Sequence, residues 1–447
     1  MTRRSPSQPG LSQARRFRPS VIVALAVLVI ARFAFHSFWV PVFEGPDEPF
    51  HLGRILAFRD LPFRQAFRGG PLSPAIVSAV EAHPCGPDLH RAFGCPLFNG
   101  RGAAFNVLEQ VTSPPAIRTV ENYENQQPPL YYMACGLPYR LISTSSAEIG
   151  DRTERDLLLF RLLSVALISA ALLWPCRLIS IGWSSDFQVV MLMVLFLPGA
   201  AEALARCSND SAIFLWSALI VLSLKRNAPA KFILALLALG PLLKLTAFPV
   251  VVMSVVRLWK QRGARLGLMA MSASLLVVPF QLLRGWHGGG TYDVNRALLD
   301  LDGSAVAMLR GLFRSAYTIA KTVFWVGGWS FFRAPQPLVL GWFLLLFLVL
   351  LSLRVRRDWR RIVPHSLGAL TVAAGVLVVV IANRRIFADW GGVGGWYFWS
   401  WLPWLAVAAA EAFRISQRAG RALLAVEAAF VVAANVFYFA AACKVYG

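Results

Sequence analysis

Two adjacent carboxylates and a histidine stand together in Gly45-Pro46-Asp47-Glu48-Pro49-Phe50-His51. Each flanking proline fixes its own φ and disfavours helix in the residue before it, so the acidic pair is held in a defined turn. Group transfer to a hydroxyl needs a carboxylate to take the acceptor's proton, and Asp47 and Glu48 are of the right type. It also needs electrostatic help for a departing phosphate. His51 stands about one helical turn after Asp47. It could orient a carboxylate, or share a divalent cation such as Mg or Mn with Asp47. The bland alternative is an exposed acidic turn in a surface loop.

The elements that carry this turn are set by composition. The chain has 447 residues, 57% hydrophobic and 15% charged, against about 25% charged in an ordinary soluble domain. Its apolar residues come in blocks of about 15–25, the length of membrane spans. The formal net charge of +21 does not imply nucleic acid, because the basic residues sit in short clusters between apolar blocks. The expected fold class is an all-α polytopic membrane protein, multi-pass in the cell (inner) membrane with the bilayer as its first partner. Residues 1–19 read as a disordered cytoplasmic tail and residues 20–447 as a single transmembrane domain. The run from about 20 to 42 is span one, directed outward. It is too long for a cleaved signal peptide and lacks the small-residue cleavage site.

Residues 43–128 then form the first extracytoplasmic loop, with the acidic turn at its start. Leu52, Ile55, Leu56 and Phe63 fall near helical spacing, which predicts a juxtamembrane helix with His51, Arg54 and Asp60 facing water. Of the six cysteines, Cys85 and Cys95 flank a polar stretch, and an oxidising compartment permits a disulfide between them. Zinc binding by His83, Cys85, His90 and Cys95 fits no usual finger spacing.

Later apolar blocks lie at about 129–145, 157–179, 187–206, 211–224, 231–257, 266–283, 335–353, 362–382, 396–413 and 421–442. Placing four basic clusters in the cytoplasm makes 231–257 a broken helix pair. Gly240-Pro241 and Pro249 supply the break, with Lys244 at the turn. Placing Asn209-Asp210 on the same face as the first loop requires one block not to cross. The block at 129–145, which is short and contains Pro138 and Arg140, is the one expected not to cross. The count is then about 11 transmembrane helices, in a range of about 10–13.

With these motifs in hand, the chain resembles a large family of uncharacterised bacterial membrane proteins grouped with the GT-C glycosyltransferase superfamily. The likeness rests on Gly45–His51 after span one and on Gln127-Pro128-Pro129-Leu130-Tyr131-Tyr132 closing the first loop. Ser208-Asn209-Asp210, Leu243-Lys244-Leu245-Thr246, Phe324-Trp325 with Gly328-Trp329, and Trp396-Tyr397-Phe398 add to it. In the last motif, Trp396 and Trp399 stand where the family more often has Arg and a smaller apolar residue.

What the resemblance implies is a GT-C-like bundle that transfers a sugar from a polyprenyl-phosphate donor to an extracytoplasmic glycan, lipid or protein. Asp47 would be the base, and Glu48 would orient the acceptor or assist the base. His51, Gln127, Tyr131, Asn209, Asp210, Trp396 and Tyr397 would line the pocket. Lys244 would contact donor phosphate, although it reads equally as a snorkelling lysine at a helix end. Arg161 is a second phosphate candidate, and Arg384 and Arg385 read as well as surface charge. The aromatic clusters also fit an interfacial belt. No P-loop, nucleotide-binding glycine fingerprint or nucleophile elbow is present, which favours a lipid-linked donor. The rival readings are a transporter or flippase of lipid-linked glycans and a non-catalytic assembly factor that keeps the fold.

Overall fold

The computed structural model describes residues 19–45, 47–98, 120, 122–142, 149–178, 185–279, 305–327, 332–355, 374, 377, 394–404 and 418–446. The stretch His287–Asp293, Gly328-Trp329, Arg384, Arg385 and nearly all of the tail at 1–19 lie outside the described residues. Among the described residues the chain is helical, with an isolated bridge between Cys85 and Leu97 and no strand. Among the described residues, three helices are long and apolar enough to cross a membrane, over Ser20–Trp39, Arg152–Leu173 and Ala422–Tyr446. Shorter apolar helices cover Ala230–Leu243, Ala264–Pro279 and Gln336–Leu348. Large apolar side chains face outward on several of them, among them Leu28, Phe38, Phe347 and Val432. Water would penalise such rows and acyl chains would not.

In chain order, α1 spans Pro19–Trp39, α2 Glu48–Asp60, α3 Phe63–Arg68, α4 Pro74–Glu81 and α5 Pro87–Phe93. A 3₁₀ turn at Tyr123–Gln126 leads into α6, Leu130–Ile142. Then come α7 Ile149–Leu178, α8 Ser185–Leu195, α9 Pro198–Leu204, α10 Asp210–Lys225, α11 Ala230–Leu243, α12 Phe248–Arg262 and α13 Ala264–Ser274. The last four are α14 Ala305–Phe324, α15 Gln336–Val355, α16 Trp396–Trp399 and α17 Arg418–Tyr446. Among the described residues these helices form two apolar cores. The larger joins α1 and α7–α17, and the smaller joins α2, α4, α5 and α6 to the neighbouring part of α7.

The smaller core overturns one expectation. α2 does not lie on a surface with His51 and Arg54 in water, because these residues are only 2% and 1% exposed, and Asp60 alone stays outside. The helix is wrapped by α4, α6, α7 and the chain entering α6. Arg54 is held inside by donating from both Nη atoms to the carbonyls of Ala66 and Phe67 in the last turn of α3, where helix carbonyls gather negative potential. α6 packs closely on α2 because Gly136 lets the backbones meet, and a Cβ there would come within 2.5 Å of the Ile55 carbonyl. With 13 residues α6 is about 20 Å long, short of the roughly 30 Å hydrocarbon layer.

The break after α11 also differs in detail. Pro241 sits inside α11, and Gly240 is there for contact, since a Cβ would strike the Trp216 indole. The chain leaves the helix at Lys244, which is extended (φ −161°, ψ 137°), and re-enters through Leu245–Ala247 and Pro249 in the first turn of α12.

Candidate functional site

The site begins in the turn between α1 and α2. Phe43 and Asp47 both have left-handed φ, 66° and 65°, and an aspartate accepts this better than most residues because its short side chain bonds locally. Gly45 has no substitute, as a Cβ would lie 2.4 Å from the Glu48 carboxyl carbon. The Gly45 amide instead donates to Glu48 Oε2 at 3.0 Å.

Glu48 is fully buried and committed on both oxygens. Arg161 Nε donates to Oε1 at 2.8 Å and Nη2 to Oε2 at 2.5 Å, and the Cys207 amide donates to Oε1 at 2.9 Å. The rest of the guanidinium donates to the carbonyls of Ser37, Val40 and Pro41 at the end of α1. A guanidinium has five N–H groups, and all five are used. The structure therefore corrects the reading of Arg161 as a phosphate ligand, because no donor is left for one. Glu48 likewise has both oxygens committed to Arg161, the Gly45 amide and the Cys207 amide, and so fixes the turn that carries Asp47.

Asp47, His51 and Glu124 lie side by side, each with a ligand atom within 4.8 Å of the others. Tyr132, on α6, joins two of them. Its hydroxyl donates to Glu124 Oε2 at 2.7 Å and stands 2.9 Å from His51 Nδ1. Tyr132 has one proton to give, so with Glu124 ionised its oxygen accepts from Nδ1–H, and His51 Nε2 carries the lone pair. Burial, followed by the nearby Arg206 and Lys244 charges, holds His51 well below its usual pKa and therefore neutral. Burial and the charge of Asp47 raise Glu124 to about 7, so it changes protonation near neutral pH. When Glu124 is protonated the chain can run the other way. Asn122 fixes the turn that presents Glu124, accepting its amide at 3.0 Å and donating to the Phe50 carbonyl at 2.9 Å.

A positive group faces this chain. Asp210 opens α10 and takes Lys244 Nζ on Oδ1 at 2.5 Å and Arg206 Nη2 on Oδ2 at 2.7 Å. Lys244 is 4% exposed, so it does not snorkel. Two cations on one carboxylate leave a net positive charge, which Asp47 feels through Arg206. Asn209 donates to the Leu243 carbonyl at 3.3 Å, while its buried Oδ1 has no hydrogen-bond partner. Lys244 Nζ also lies 5.8 Å from the centre of the Tyr397 ring, and Tyr397 is within electrostatic reach of Asp47, Glu124 and Asp210. Gly395, just before it, is pinned by its amide to Thr322 Oγ1 at 2.5 Å.

Asp47, His51, Asn209, Asp210, Lys244 and Tyr397 thus come together from distant stretches, with Trp396 beside Tyr397 at 6.0 Å between ring centres. Tyr131 does not join them; it is buried edge-on to Tyr132 in the smaller core. Gln127 ends the 3₁₀ turn, its amide bonded to the Glu124 carbonyl at 3.0 Å. The structure joins Cys85 to Cys95, with Cα atoms 6.1 Å apart. Glu44 ties that loop down by accepting the Gly86 amide, and burial pushes its carboxyl well above the usual range. Sequence reasoning missed Glu124, Tyr132 and Arg206. Arg206 had a signal, a charge inside an apolar run.

The predicted membrane protein family DUF2142 matches residues 27–399, from α1 through α16 and so across the whole site. The chain belongs to this family. No curated protein and no solved structure matches it.

Proposed function

We propose that this DUF2142 protein is a membrane glycosyltransferase of GT-C type, moving a sugar from a polyprenyl-phosphate donor to an extracytoplasmic glycan, lipid or protein. The observation that carries the reading is the pairing of Asp47, backed by His51, Tyr132 and Glu124, with the positive Arg206–Asp210–Lys244 group. Asp47 takes the acceptor's proton as its oxygen attacks the anomeric carbon, and the electron pair of the breaking C–O bond leaves with the phosphate. Lys244 and Arg206 steady that charge. A sugar hydroxyl would satisfy the orphaned Asn209 Oδ1, and Tyr397 and Trp396 offer faces on which a ring can stack. Should a divalent cation such as Mg or Mn be needed, Asp47, His51 and Glu124 are the groups to hold it. The fold proposed with this activity has about eleven crossings, a cytoplasmic N-terminus and an inner-membrane location.

The test is mass spectrometry of surface glycans from cells lacking the protein, restored with wild type or with Asp47→Asn. Asparagine keeps the left-handed turn and removes the base. A fall in transfer of about 10²–10⁴-fold is expected, and full restoration by Asp47→Asn would remove Asp47 from the mechanism.

A flippase has one observation in its favour, a second buried polar group between α1, α9 and α17. Tyr438 donates to Glu202, His36 Nε2 is 4.0 Å from Glu202, and Arg32 donates to Asn435 at 3.0 Å. Loss of lipid-linked glycan flipping in vesicles by Glu202→Gln, with transfer intact, would favour it.

A further inference from the structure

α14 is 20 residues long and contains Arg310, Arg314 and Lys321 but no acidic residue. Its surfaces sort by spacing. Ser315 and Thr322, one seven-residue step apart, are 1% and 2% exposed and face the protein, where Gly199 and Gly395 meet the helix end at Val323. Val306, Leu309, Phe313 and Tyr317, at three- and four-residue steps, face outward, with Phe313 76% exposed. Arg310 and Arg314, four apart, are exposed along one edge of that row, and Lys321 continues the same edge. Helical periodicity therefore gives three sectors: protein-facing, apolar and basic.

What covers the apolar sector can be read from its neighbour. Tyr317 stacks on Phe343 of α15 at 5.7 Å, so the row runs on into Leu340, Leu344 and Phe347. Those residues lie on an apolar helix of membrane composition, Gln336–Leu348. Acyl chains that cover α15 cover α14 as well. The basic edge then marks the level of the headgroups, with exposed Arg333 just beyond Phe332 adding to it. Guanidinium groups bind phosphate in a forked, two-bond geometry, and a negative headgroup is complementary in charge to this exposed basic edge.

We propose that α14 lies in the membrane interface and that its Arg310–Arg314–Lys321 edge is a binding site for anionic phospholipid. The proposal stands independently of the glycosyltransferase reading, because lipid contact is measured without turnover.

The test is photo-crosslinking from position 313 in the full-length protein. Phe313→p-benzoylphenylalanine alters an exposed side chain and leaves the packing intact. The protein is placed in nanodiscs holding equal phosphatidylglycerol and phosphatidylcholine, and adducts are weighed by mass spectrometry. Phospholipid adducts are expected, with phosphatidylglycerol enriched about fivefold or more. Adding Arg310→Gln and Arg314→Gln should bring that ratio to about one while total lipid adduct is unchanged. Cross-links to another part of this chain or to a second copy, no adduct at all, or an enrichment that survives the double substitution would each overturn the proposal.

Discussion

Asp47 and Glu48 are neighbours in sequence, yet they belong to opposite kinds of region. Around Glu48 every polar atom is answered by a fixed partner, with two carboxylate oxygens and five guanidinium donors and no exchangeable arrangement among them. Around Asp47, the bonds from His51 through Tyr132 to Glu124 can reverse direction without moving a heavy atom. The first region is built to hold shape and the second to hold or pass a proton. An acidic dipeptide therefore need not be a catalytic dyad, and here one carboxylate is the mount for the other.

Breaking the mount should give the largest stability effect. Glu48→Gln or Arg161→Met leaves one buried charge without its partner, a loss of about 3–5 kcal/mol. A fall in detergent-solubilised melting temperature, or loss of folded protein, is the expected result. Asp47→Asn should leave the melting point near wild type while lowering transfer by about 10²–10⁴-fold. If Glu48→Gln melts like wild type, the two regions are not distinct in kind.

The Arg206–Asp210–Lys244 group lies between these extremes, being ion-paired but with two cations to one anion. Asp210→Asn leaves two buried cations together and should cost about 3 kcal/mol. Lys244→Met leaves Asp210 still paired to Arg206, so stability should fall less and transfer more. Equal loss of stability in both variants would make Lys244 a structural cation only.

Much of this was legible in the residues. The proline-fenced turn, the break at Lys244, the short block at 129–145 and the closeness of Asn209-Asp210 to the first loop all follow from periodicity, Pro and Gly placement and charge inside apolar runs. The failures have one physical origin. Spacing says that two residues share a helix face, but not whether other elements cover that face. By sequence alone His51 and Arg54 read as wet because they are polar, and Arg161 reads as a ligand because it is a charge inside an apolar block. Tyr132 ends the Gln127–Tyr132 motif and Glu124 stands three residues before it, and only tertiary packing brings the two to Asp47. Arg161 reaches its partner across 113 residues of chain, which no local pattern encodes.

The mobile proton gives the smallest effect. Glu124 holds its proton up to about pH 7 in the folded protein, against an ordinary value of 4.5. Between those values the folded state binds a proton that the unfolded state has lost, so this group's contribution to stability falls as pH rises from about 4.5 to about 7 and is level above. Glu124→Gln should remove that slope, which urea or thermal melts across the window would detect. Transfer should change in the opposite sense, rising through pH 7 as Glu124 ionises and can accept from Tyr132. Tyr132→Phe cuts the chain between His51 and Glu124 for the loss of one hydroxyl, about 1 kcal/mol or fivefold in rate, and should erase the inflection. A pH–rate profile with the same inflection in wild type and Tyr132→Phe would show that the chain from His51 to Glu124 is as static as the mount beside it.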